Sequence, residues 1–285
     1  MKDCIYCGIS YSDWKDRGRI GCSNCISVIG DEYSTFIPRQ SASDWEPPVG
    51  FPLREEWFQF NASPFPEKMK KIDAYSLPFS YRFRVARNPK RSIYPFRSKI
   101  LPVVFLKEWF SSQNIQNPAN LDFFSETQAV KNRSDNTKCV RISWNGGTLL
   151  MGDEDHLRWE YVTDSLYDLA SVLDSPFLKA FWDSERFDYK DGIGFLTSCP
   201  TNAGEGDKLS IALPDLFTQT GALEGFRLPT DWGFYREDLQ DRLIIFRKNF
   251  GLKRKNSFFN LVSYLALLVI LGKEAGKASL PRNPF

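Results

Sequence analysis

The chain of 285 residues is 42% hydrophobic and carries 37 basic against 35 acidic side chains, for a net charge of +2. This length and apolar content suffice for one large or two modest domains with a buried core. The balanced charge gives no overall attraction to nucleic acids or membranes, and the N-terminal residues lack the charged and apolar regions of a secretory signal, so we predict a cytoplasmic protein that does not bind nucleic acid.

Two cysteine pairs open the chain. Cys4 and Cys7 form one Cys-x-x-Cys turn and Cys22 and Cys25 form another, with 14 residues between the pairs. Each turn lets two thiolates face one centre, and a structural Zn²⁺ ion takes four such ligands at about 2.3 Å. The spacing therefore predicts a structural zinc site in a small module, residues 1–37, that is too short to fold without its metal. A redox-active disulfide is the alternative, which two matched pairs in one short segment make harder to explain.

Residues 38–78 are rich in proline and aromatic residues. Because proline restricts its own backbone and that of the preceding residue, we predict extended or turn segments here rather than long helices. The aromatic side chains, among them Trp45, Trp57 and Phe65, are too apolar for a free tether. We interpret the segment as a linker that packs on one of the domains it joins.

A strand with alternating character follows at 80–88. Arg82 and Arg84 fall on one face of this strand, and Phe83 and Val85 on the other. Two guanidinium groups about 7 Å apart, at two strand rises, suit adjacent phosphates of a nucleotide, since arginine offers a planar fork of donors. On the pattern alone, an exposed charged strand face is the simpler interpretation.

Residues 140–158 contain a predicted hairpin and an acidic turn. Alternation at 140–144 and 148–151 around Asn145-Gly146-Gly147 predicts two antiparallel strands joined by a tight turn. The second strand runs into Gly152-Asp153-Glu154-Asp155-His156-Leu157-Arg158, which holds the single histidine of the sequence. A guanidinium is a poor nucleophile until carboxylates orient it and accept its proton, and an acidic turn supplies such carboxylates. A solvated acidic turn with a hydrogen-bonded histidine is the alternative.

Two helices are predicted in the second half of the chain. Apolar residues at helical spacing indicate a helix over 164–181, which Pro176 bends or breaks. The most apolar run, 258–271, is about 14 residues long, whereas a membrane span needs about 20. We therefore predict a buried C-terminal helix without membrane contact; the basic Lys253-Arg254-Lys255 flank leaves a membrane anchor as the alternative.

One string is too specific for an ordinary turn: Cys199-Pro200-Thr201-Asn202-Ala203-Gly204-Glu205-Gly206-Asp207-Lys208. It resembles the signature of the ATP:guanidino phosphotransferases, the phosphagen kinases and bacterial protein arginine kinases, which is roughly Cys-Pro-Thr-Asn-Leu-Gly-Thr-Gly-x-Arg. Two earlier segments resemble motifs of the same family. The strand at 80–88 matches Ser-x-Arg-x-Arg-x-x-Arg-Asn, and the turn at 152–158 is similar to Asn-Glu-Glu-Asp-His-Leu-Arg. The resemblance covers residues 80–213.

The resemblance implies roles for six residues. Glu154 matches the glutamate that grips the substrate guanidinium and is a candidate base, and Cys199 matches the cysteine beside that guanidinium, although a lone cysteine is more often a small core residue. The positions that match phosphate-binding residues are Arg82, Arg84, Arg158 and Lys208. The implied substrates are ATP with Mg²⁺ and the arginine side chains of proteins.

The cysteine module resembles the same biological system. Cys4-Ile5-Tyr6-Cys7-Gly8 and Gly21-Cys22-Ser23-Asn24-Cys25 are similar to a zinc finger of the bacterial activator protein that partners the protein arginine kinase. This second resemblance implies protein partners of the arginine kinase system.

The sequence also departs from the family motifs. Glu205 replaces a threonine and adds negative charge to a loop that lies near the nucleotide in relatives, and Lys208 replaces an arginine and lacks its fork. Asp153 replaces a glutamate. The loop Arg-Gly-x-x-Gly-Glu that closes the site in relatives has no counterpart after Pro214, where the nearest match is Leu223-Glu224-Gly225-Phe226-Arg227. These departures predict weakened activity.

We therefore predict an α+β domain of the phosphagen-kinase catalytic type over 79–285, with an antiparallel sheet and flanking helices, preceded by the linker 38–78 and the zinc module 1–37. Two functions are open. One is an ATP-dependent phosphotransferase of the protein-arginine-kinase type with weakened or altered activity. The other is a non-catalytic regulator, a pseudokinase that binds partners through its zinc module. A zinc-ribbon nucleic-acid binder is a weaker third hypothesis, because the net charge is nearly neutral.

Overall fold

The computed structural model describes residues 3–38, 44–51, 53–97, 103–112, 129–131, 138–214, 228, 232–237, 240–252 and 255–274. The described helices are α1 (Tyr11–Arg17), α2 (Ile26–Ile29), α3 (Glu32–Thr35), α4 (Arg54–Asn61), α5 (Phe65–Ala74), α6 (Val103–Ser112), α7 (Leu166–Leu173), α8 (Pro176–Lys179) and α9 (Lys255–Glu274). The described strands are β1 (Ser80–Arg87), β2 (Ala129–Lys131), β3 (Lys138–Trp144), β4 (Gly147–Met151), β5 (Leu157–Thr163), β6 (Tyr189–Lys190), β7 (Gly194–Phe195), β8 (Asp207–Pro214), β9 (Trp232–Glu237) and β10 (Arg242–Lys248).

The chain separates into two units, and segments distant in sequence contribute to each. The first unit comprises Met1–Pro38, Arg84–Tyr161 and Ser175–Asp207. The second comprises Arg39–Phe83, Val162–Asp174 and Lys208–Phe285. The cysteine module thus belongs to the same unit as the acidic turn and the Cys199-Pro200-Thr201-Asn202 string.

The sheet of the first unit has the strand order β2-β3-β4-β5-β1, and its successive strands from β2 to β5 pair antiparallel. The hairpin predicted for 140–151 is confirmed, with Val140 opposite Met151 and Trp144 opposite Gly147. Its turn residues Asn145 and Gly146 have φ values of 49° and 74°. Positive φ at both central positions is what a two-residue hairpin turn requires, and Asn-Gly accepts it at low cost.

The cysteine module shares a hydrophobic core with the rest of the first unit. The buried residues of this core are Cys4, Cys7, Ile9, Trp14, Ile20, Cys22, Cys25, Ile26, Ile29, Tyr33, Tyr94, Leu196 and Ala203. Helix α1 begins at a capping box between Ser10 and Asp13 and ends at Gly18, whose left-handed φ of 61° closes the last turn. The chain leaves α1 at Gly18 and continues directly into Arg19 and the buried Ile20.

The second unit contains the strand order β1-β8-β10-β9, in which β10 pairs antiparallel with both β8 and β9. Strand β1 shows the predicted alternation, with Tyr81, Phe83 and Val85 buried and Arg82 and Arg84 half-buried. The predicted C-terminal helix is confirmed as α9, and its residues 257–259 and 261–268 are buried. Among the described residues, no helix is both long enough and apolar enough to cross a membrane.

The prediction of extended or turn structure for 38–78 is wrong at α4 and α5. Pro64 caps α5 and Pro66 occupies its first turn, where the missing N–H breaks no helical hydrogen bond. Aromatic residues of this segment pack on α9 within the second unit: Trp57 Nε1 donates to the Asn260 carbonyl at 3.1 Å, and the Phe65 ring centre lies 4.9 Å from that of Phe259. Pro176 breaks the predicted 164–181 helix as expected, because α7 ends at Leu173 and α8 begins at Pro176.

Candidate active site

A buried carboxylate ties three sequence motifs together in the first unit. Asp155 accepts hydrogen bonds from the Ser198 backbone N–H at 2.7 Å and from Asn88 Nδ2 at 2.6 Å. Asn88 follows β1, Asp155 belongs to the acidic turn, and Ser198 precedes Cys199. Burial raises the pKa of Asp155 to about 7, as does the neighbouring Glu154, while the hydrogen bonds from Ser198 and Asn88 act in the opposite direction.

His156 extends this network. Its backbone N–H and its ring Nδ1 both lie within hydrogen-bonding distance of Asn88 Oδ1, at 2.9 and 3.0 Å. Burial lowers the pKa of His156 to about 4, so the ring is neutral at pH 7. A neutral ring that donates from Nδ1 satisfies the amide oxygen, and the histidine therefore positions the turn rather than carrying charge.

Glu154, the predicted guanidinium-binding residue, contacts a guanidinium. Arg19 Nε, from the cysteine module, donates to Glu154 Oε1 at 2.7 Å. The arginine side chain is 40% exposed and the glutamate side chain 24%. Burial lowers the pKa of Arg19, but the charge and hydrogen bond of Glu154 outweigh it, so the net shift is upward. Arg19 is not predictable from the sequence, because its partner is 135 positions away and no local pattern links the two.

Cys199 begins the Cys199-Pro200-Thr201-Asn202 string, and Arg84 of β1 contacts the same string. The Cys199 Sγ is 3.2 Å from Thr201 Oγ1. Arg84 Nη2 donates to Asn202 Oδ1 at 3.3 Å. The structure thus brings the predicted residues Arg84 and Cys199 to one turn, the 3₁₀ helix Pro200–Asn202. Asp155, the sequence neighbour of Glu154, holds the backbone of Ser198, the residue before Cys199.

Arg158 is held by an acid that departs from the family motif. Its Nη1 lies 2.7 Å from Asp153 Oδ2, and the two side chains are 25% and 11% exposed. Its Nε is buried and makes no hydrogen bond within the described part of the chain. A buried donor without a protein acceptor is costly, and an anionic oxygen at this position would satisfy it.

Arg82 and Lys208 belong to the second unit. Arg82 contributes its backbone carbonyl to Ser210 Oγ at 3.3 Å. Lys208 Nζ lies 3.8 Å from the ring centre of Phe246 and 5.2 Å from that of Tyr235. Aromatic faces stabilise a cation through the ring quadrupole, so Lys208 has a structural partner within its own unit.

Glu205 is part of a buried cluster that the sequence analysis missed. It accepts a hydrogen bond from Trp182 Nε1 at 2.8 Å. The adjacent Arg87 is fully buried, with its Nε on the Phe181 carbonyl and its Nη1 on the Ala86 carbonyl. Burial lowers the pKa of Arg87, and the charges of Asp207 and Glu205 oppose that shift. The charges of Asp207 and Glu205 therefore together offset part of the cost of burying this arginine.

Gly206 permits this arrangement. Its φ is +69°, and a Cβ at this position would lie 2.3 Å from Arg87 Nη1. Both the left-handed backbone and the space therefore require glycine. The Gly-x-Gly step of the string thus has a packing reason within the first unit.

The four cysteines of the module form one cluster. All four are buried, and their sulfur atoms lie within 4.8 Å of one another. The measured pairs are Cys4–Cys22 at 3.5 Å, Cys7–Cys25 at 3.3 Å and Cys22–Cys25 at 3.9 Å. Four thiolates at about 2.3 Å from a tetrahedral ion would be about 3.8 Å apart, whereas a disulfide needs about 2.05 Å. The donor set and its spacing fit a metal ion.

Comparison with known proteins agrees with the motifs. Residues 106–226 match the family ATP:guanido phosphotransferase, C-terminal catalytic domain. The chain is 31% identical over 157 residues to the protein-arginine kinase of Bacillus pumilus (strain SAFR-032), covering 47% of this chain and 43% of that protein. It is 24% identical over 182 residues to the protein-arginine kinase of Staphylococcus haemolyticus (strain JCSC1435), covering 52% and 48%. The chain thus spans less than half of the length of these curated relatives.

Solved structures show the fold. The substrate-free duplicated taurocyamine kinase from Schistosoma mansoni superposes with a TM-score of 0.57 at 12% identity, over 92% of this chain and 42% of that chain. A crystal structure of lombricine kinase gives a TM-score of 0.53 at 13% identity, over 91% and 82%. The predicted fold class is confirmed as a phosphagen-kinase-like fold with a mostly antiparallel sheet and helices. The solved structures show the fold, and the family match over 106–226 supports an ATP:guanidino phosphotransferase catalytic domain in this chain.

Proposed function

We propose that this chain is an ATP-dependent phosphotransferase of the guanidino type that acts on arginine side chains of proteins, with weakened or altered activity. The catalytic-domain match over 106–226 supports the reaction class, and the similarity to protein-arginine kinases supports the substrate. One observation carries the proposal: the carboxylate of Glu154 accepts a guanidinium N–H at 2.7 Å, next to the buried network that fixes the Ser198–Cys199 backbone.

Each of the candidate site residues has a separate role in the proposed reaction. Glu154 binds and orients the guanidinium, and its carboxylate takes up the proton as a guanidinium nitrogen bonds to the γ-phosphorus and the bond to ADP breaks. Asp155 positions the turn through Ser198 and Asn88. Arg158, whose buried Nε fits an anionic oxygen, and Arg84 would hold phosphates in the first unit. Mg²⁺ would neutralise phosphate charge when bound with ATP.

The test compares two glutamate variants during incubation with Mg-ATP and an arginine-rich protein. Phospho-arginine, detected by mass spectrometry, should form with the natural sequence and decrease by about 10²–10³-fold in Glu154→Gln. Glu185→Gln is the matched control, because the Glu185 side chain is 89% exposed and pairs with Lys90 at 3.6 Å. Product that forms equally in both variants, or in neither variant nor the natural sequence, would contradict the proposal.

A non-catalytic regulator is the second candidate. The observation that favours it is that two candidate phosphate-binding residues, Arg158 and Arg84, each have a protein partner, namely Asp153 and Asn202. A ligand that binds only the folded state raises the melting temperature, so titration with Mg-ATP separates the two candidates. A rise at millimolar Mg-ATP together with turnover supports the phosphotransferase. Absence of both, with binding to a protein of the arginine kinase system, supports the regulator.

The same proposal includes a structural Zn²⁺ ion held by Cys4, Cys7, Cys22 and Cys25. Four protein ligands close the coordination shell, so the ion would stabilise the module and leave no position for catalysis. Elemental analysis of the purified protein should find one zinc per chain. Cys22→Ser should lose it, whereas Cys199→Ser, outside the cluster, should retain it.

A further inference from the structure

Arg19 is placed on Glu154 by the backbone around it. Gly18 ends α1 and turns the chain. Ile20, which follows Arg19, is hydrogen-bonded to Ser198, the residue before Cys199. Ile20 N–H donates to the Ser198 carbonyl at 2.9 Å, and Ser198 Oγ donates to the Ile20 carbonyl at 3.1 Å. Arg19 therefore leaves a fixed backbone position, so less conformational entropy is lost when it binds Glu154 than for a free arginine.

A second anchor holds the module against the same segment. The buried Tyr33 donates from its hydroxyl to the Thr197 carbonyl at 2.8 Å. The segment 197–198 is thus fixed by the module at two consecutive residues, while Ser198 N–H reaches Asp155 on its other side. The contact between Arg19 and Glu154 therefore lies beside buried hydrogen bonds that fix the module on residues 197–198. It is not an isolated ion pair between two flexible surface side chains.

The group that Arg19 presents is chemically that of an arginine substrate. Its Nε donates to Glu154 Oε1 at 2.7 Å, and its Nη1 donates to the Arg17 carbonyl at 3.2 Å. The guanidinium also lies 5.9 Å from the Phe96 ring centre. A substrate arginine that needs the Glu154 carboxylate has to compete with this internal guanidinium.

We propose that Arg19 is an intramolecular occupant of the guanidinium site, which an arginine-bearing substrate must displace. This regulation of the site rests on the proposed function, in which Glu154 binds the substrate guanidinium. When a competent state is only partly populated, the apparent affinity for a ligand falls by the populated fraction. The partial exposure of Arg19, at 40%, leaves room for exchange with an external guanidinium.

The test measures binding of N-acetyl-arginine methylamide by calorimetry without ATP, so that it does not depend on catalysis. Arg19→Ala should bind this probe about three- to tenfold more tightly than the natural sequence, because the internal competitor is gone. Arg17→Ala is the matched control, since Arg17 is exposed, lies at the same distance of 5.9 Å from the Phe96 ring, and keeps after substitution the backbone carbonyl that accepts from Arg19 Nη1. Its affinity should not change.

Two further variants test whether the probe binds at Glu154 and whether the Arg19 substitution acts through misfolding. Adding Glu154→Gln to Arg19→Ala should abolish the gain, because the probe then lacks its carboxylate. Arg19→Gln keeps a polar side chain but removes the guanidinium and its charge, and it should also bind the probe more tightly than the natural sequence, which checks the result of Arg19→Ala against misfolding.

The outcome that overturns the inference is equal or weaker probe binding in both Arg19 variants, with the melting temperature unchanged. The inference and the proposed function fail separately. If no variant forms phospho-arginine but the Arg19 variants bind the probe more tightly through Glu154, the phosphotransferase proposal fails and the internal occupant stands. If phospho-arginine forms at the same rate and with the same substrate affinity with and without Arg19, the phosphotransferase proposal stands and the inference about Arg19 fails.

Discussion

The acidic turn of the first unit and Lys208 of the second unit hold charged side chains in different ways. Asp155 is buried and accepts two directional hydrogen bonds, from a backbone amide and from the Asn88 side chain. Lys208 lies against the rings of Phe246 and Tyr235, which stabilise charge without a directional bond. Directional hydrogen bonds to a buried group fix the acidic turn more tightly than ring contacts fix Lys208. Changes at the acidic turn should therefore cost more.

The largest effect is expected at the buried carboxylate. Asp155→Ala leaves the Ser198 N–H and the Asn88 amide without their acceptor, and each buried unsatisfied donor costs about 1–3 kcal/mol. We expect the free energy of unfolding, measured in urea, to decrease by about 2–4 kcal/mol.

Two variants check that cause. Asp155→Asn keeps a carbonyl oxygen and should lose only about 1 kcal/mol. Asp191→Ala, at an exposed turn, should change stability by less than about 0.5 kcal/mol. Equal losses for the alanine and asparagine variants of Asp155 would show that the acceptor is not what matters.

His156 should make stability depend on pH. Its folded pKa of about 4 lies below the ordinary histidine pKa of about 6.5, so the unfolded chain binds more protons between these values. The contribution of the neutral ring is complete above pH 6.5 and is lost as pH falls towards 4. It amounts to about 3 kcal/mol for this shift.

The pH effect is isolated by comparison with His156→Gln. Asp155 and Asp188, whose pKa values are raised by burial to about 7 and about 6, give the opposite slope but are present in both proteins. The advantage of the natural sequence over His156→Gln should therefore increase from pH 4 to pH 6.5. A difference that stays constant over this range would mean that the ring does not titrate as described.

At Glu205, the effect expected from the family resemblance differs from the effect expected from the structure. The family residue is threonine, and the resemblance predicts that an acid at this position weakens nucleotide binding. In the structure Glu205 accepts a hydrogen bond from Trp182, and its charge acts together with that of Asp207 on the buried Arg87. Glu205→Thr should therefore reduce the unfolding free energy by about 1–2 kcal/mol, while Glu185→Thr at an 89% exposed side chain should have little effect. An unchanged or higher stability of Glu205→Thr would contradict its structural role.

The smallest effect is expected at Lys208. Lys208→Met removes the cation from the Phe246 face and keeps most of the apolar stem, so it should cost about 0.5–1 kcal/mol. Lys190→Met, at an exposed strand position, is the control. A loss at Lys208 as large as that for Asp155→Ala would remove the distinction between the two regions.

Local patterns in the sequence predicted much of the fold. The Asn145-Gly146 hairpin, the break at Pro176 and the buried helix α9 follow from turn chemistry and apolar spacing. Helices α4 and α5 do not follow from the composition of 38–78, because proline usually breaks helices, whereas Pro64 and Pro66 lie at a helix start, where proline is tolerated.

The site was predictable in residue type but not in its contacts. The motifs identified Glu154, Cys199 and Arg84, and these belong to one unit tied together through Asp155, Ser198 and Asn202. The partners Arg19 and Asp153 were not predicted. Contacts between residues 135 positions apart depend on how the cysteine module packs, which no local period encodes.

The most direct test of the central claim, that Glu154 is the guanidinium carboxylate, is the rate of phospho-arginine formation in an Arg19→Ala background. At substrate concentrations below saturation, Arg19→Ala should react faster than the natural sequence. Adding Glu154→Gln to it should then lower the rate by about 10²–10³-fold, because no internal guanidinium obscures the loss of the carboxylate. A rate that stays the same when Glu154 is replaced in this background would contradict the claim.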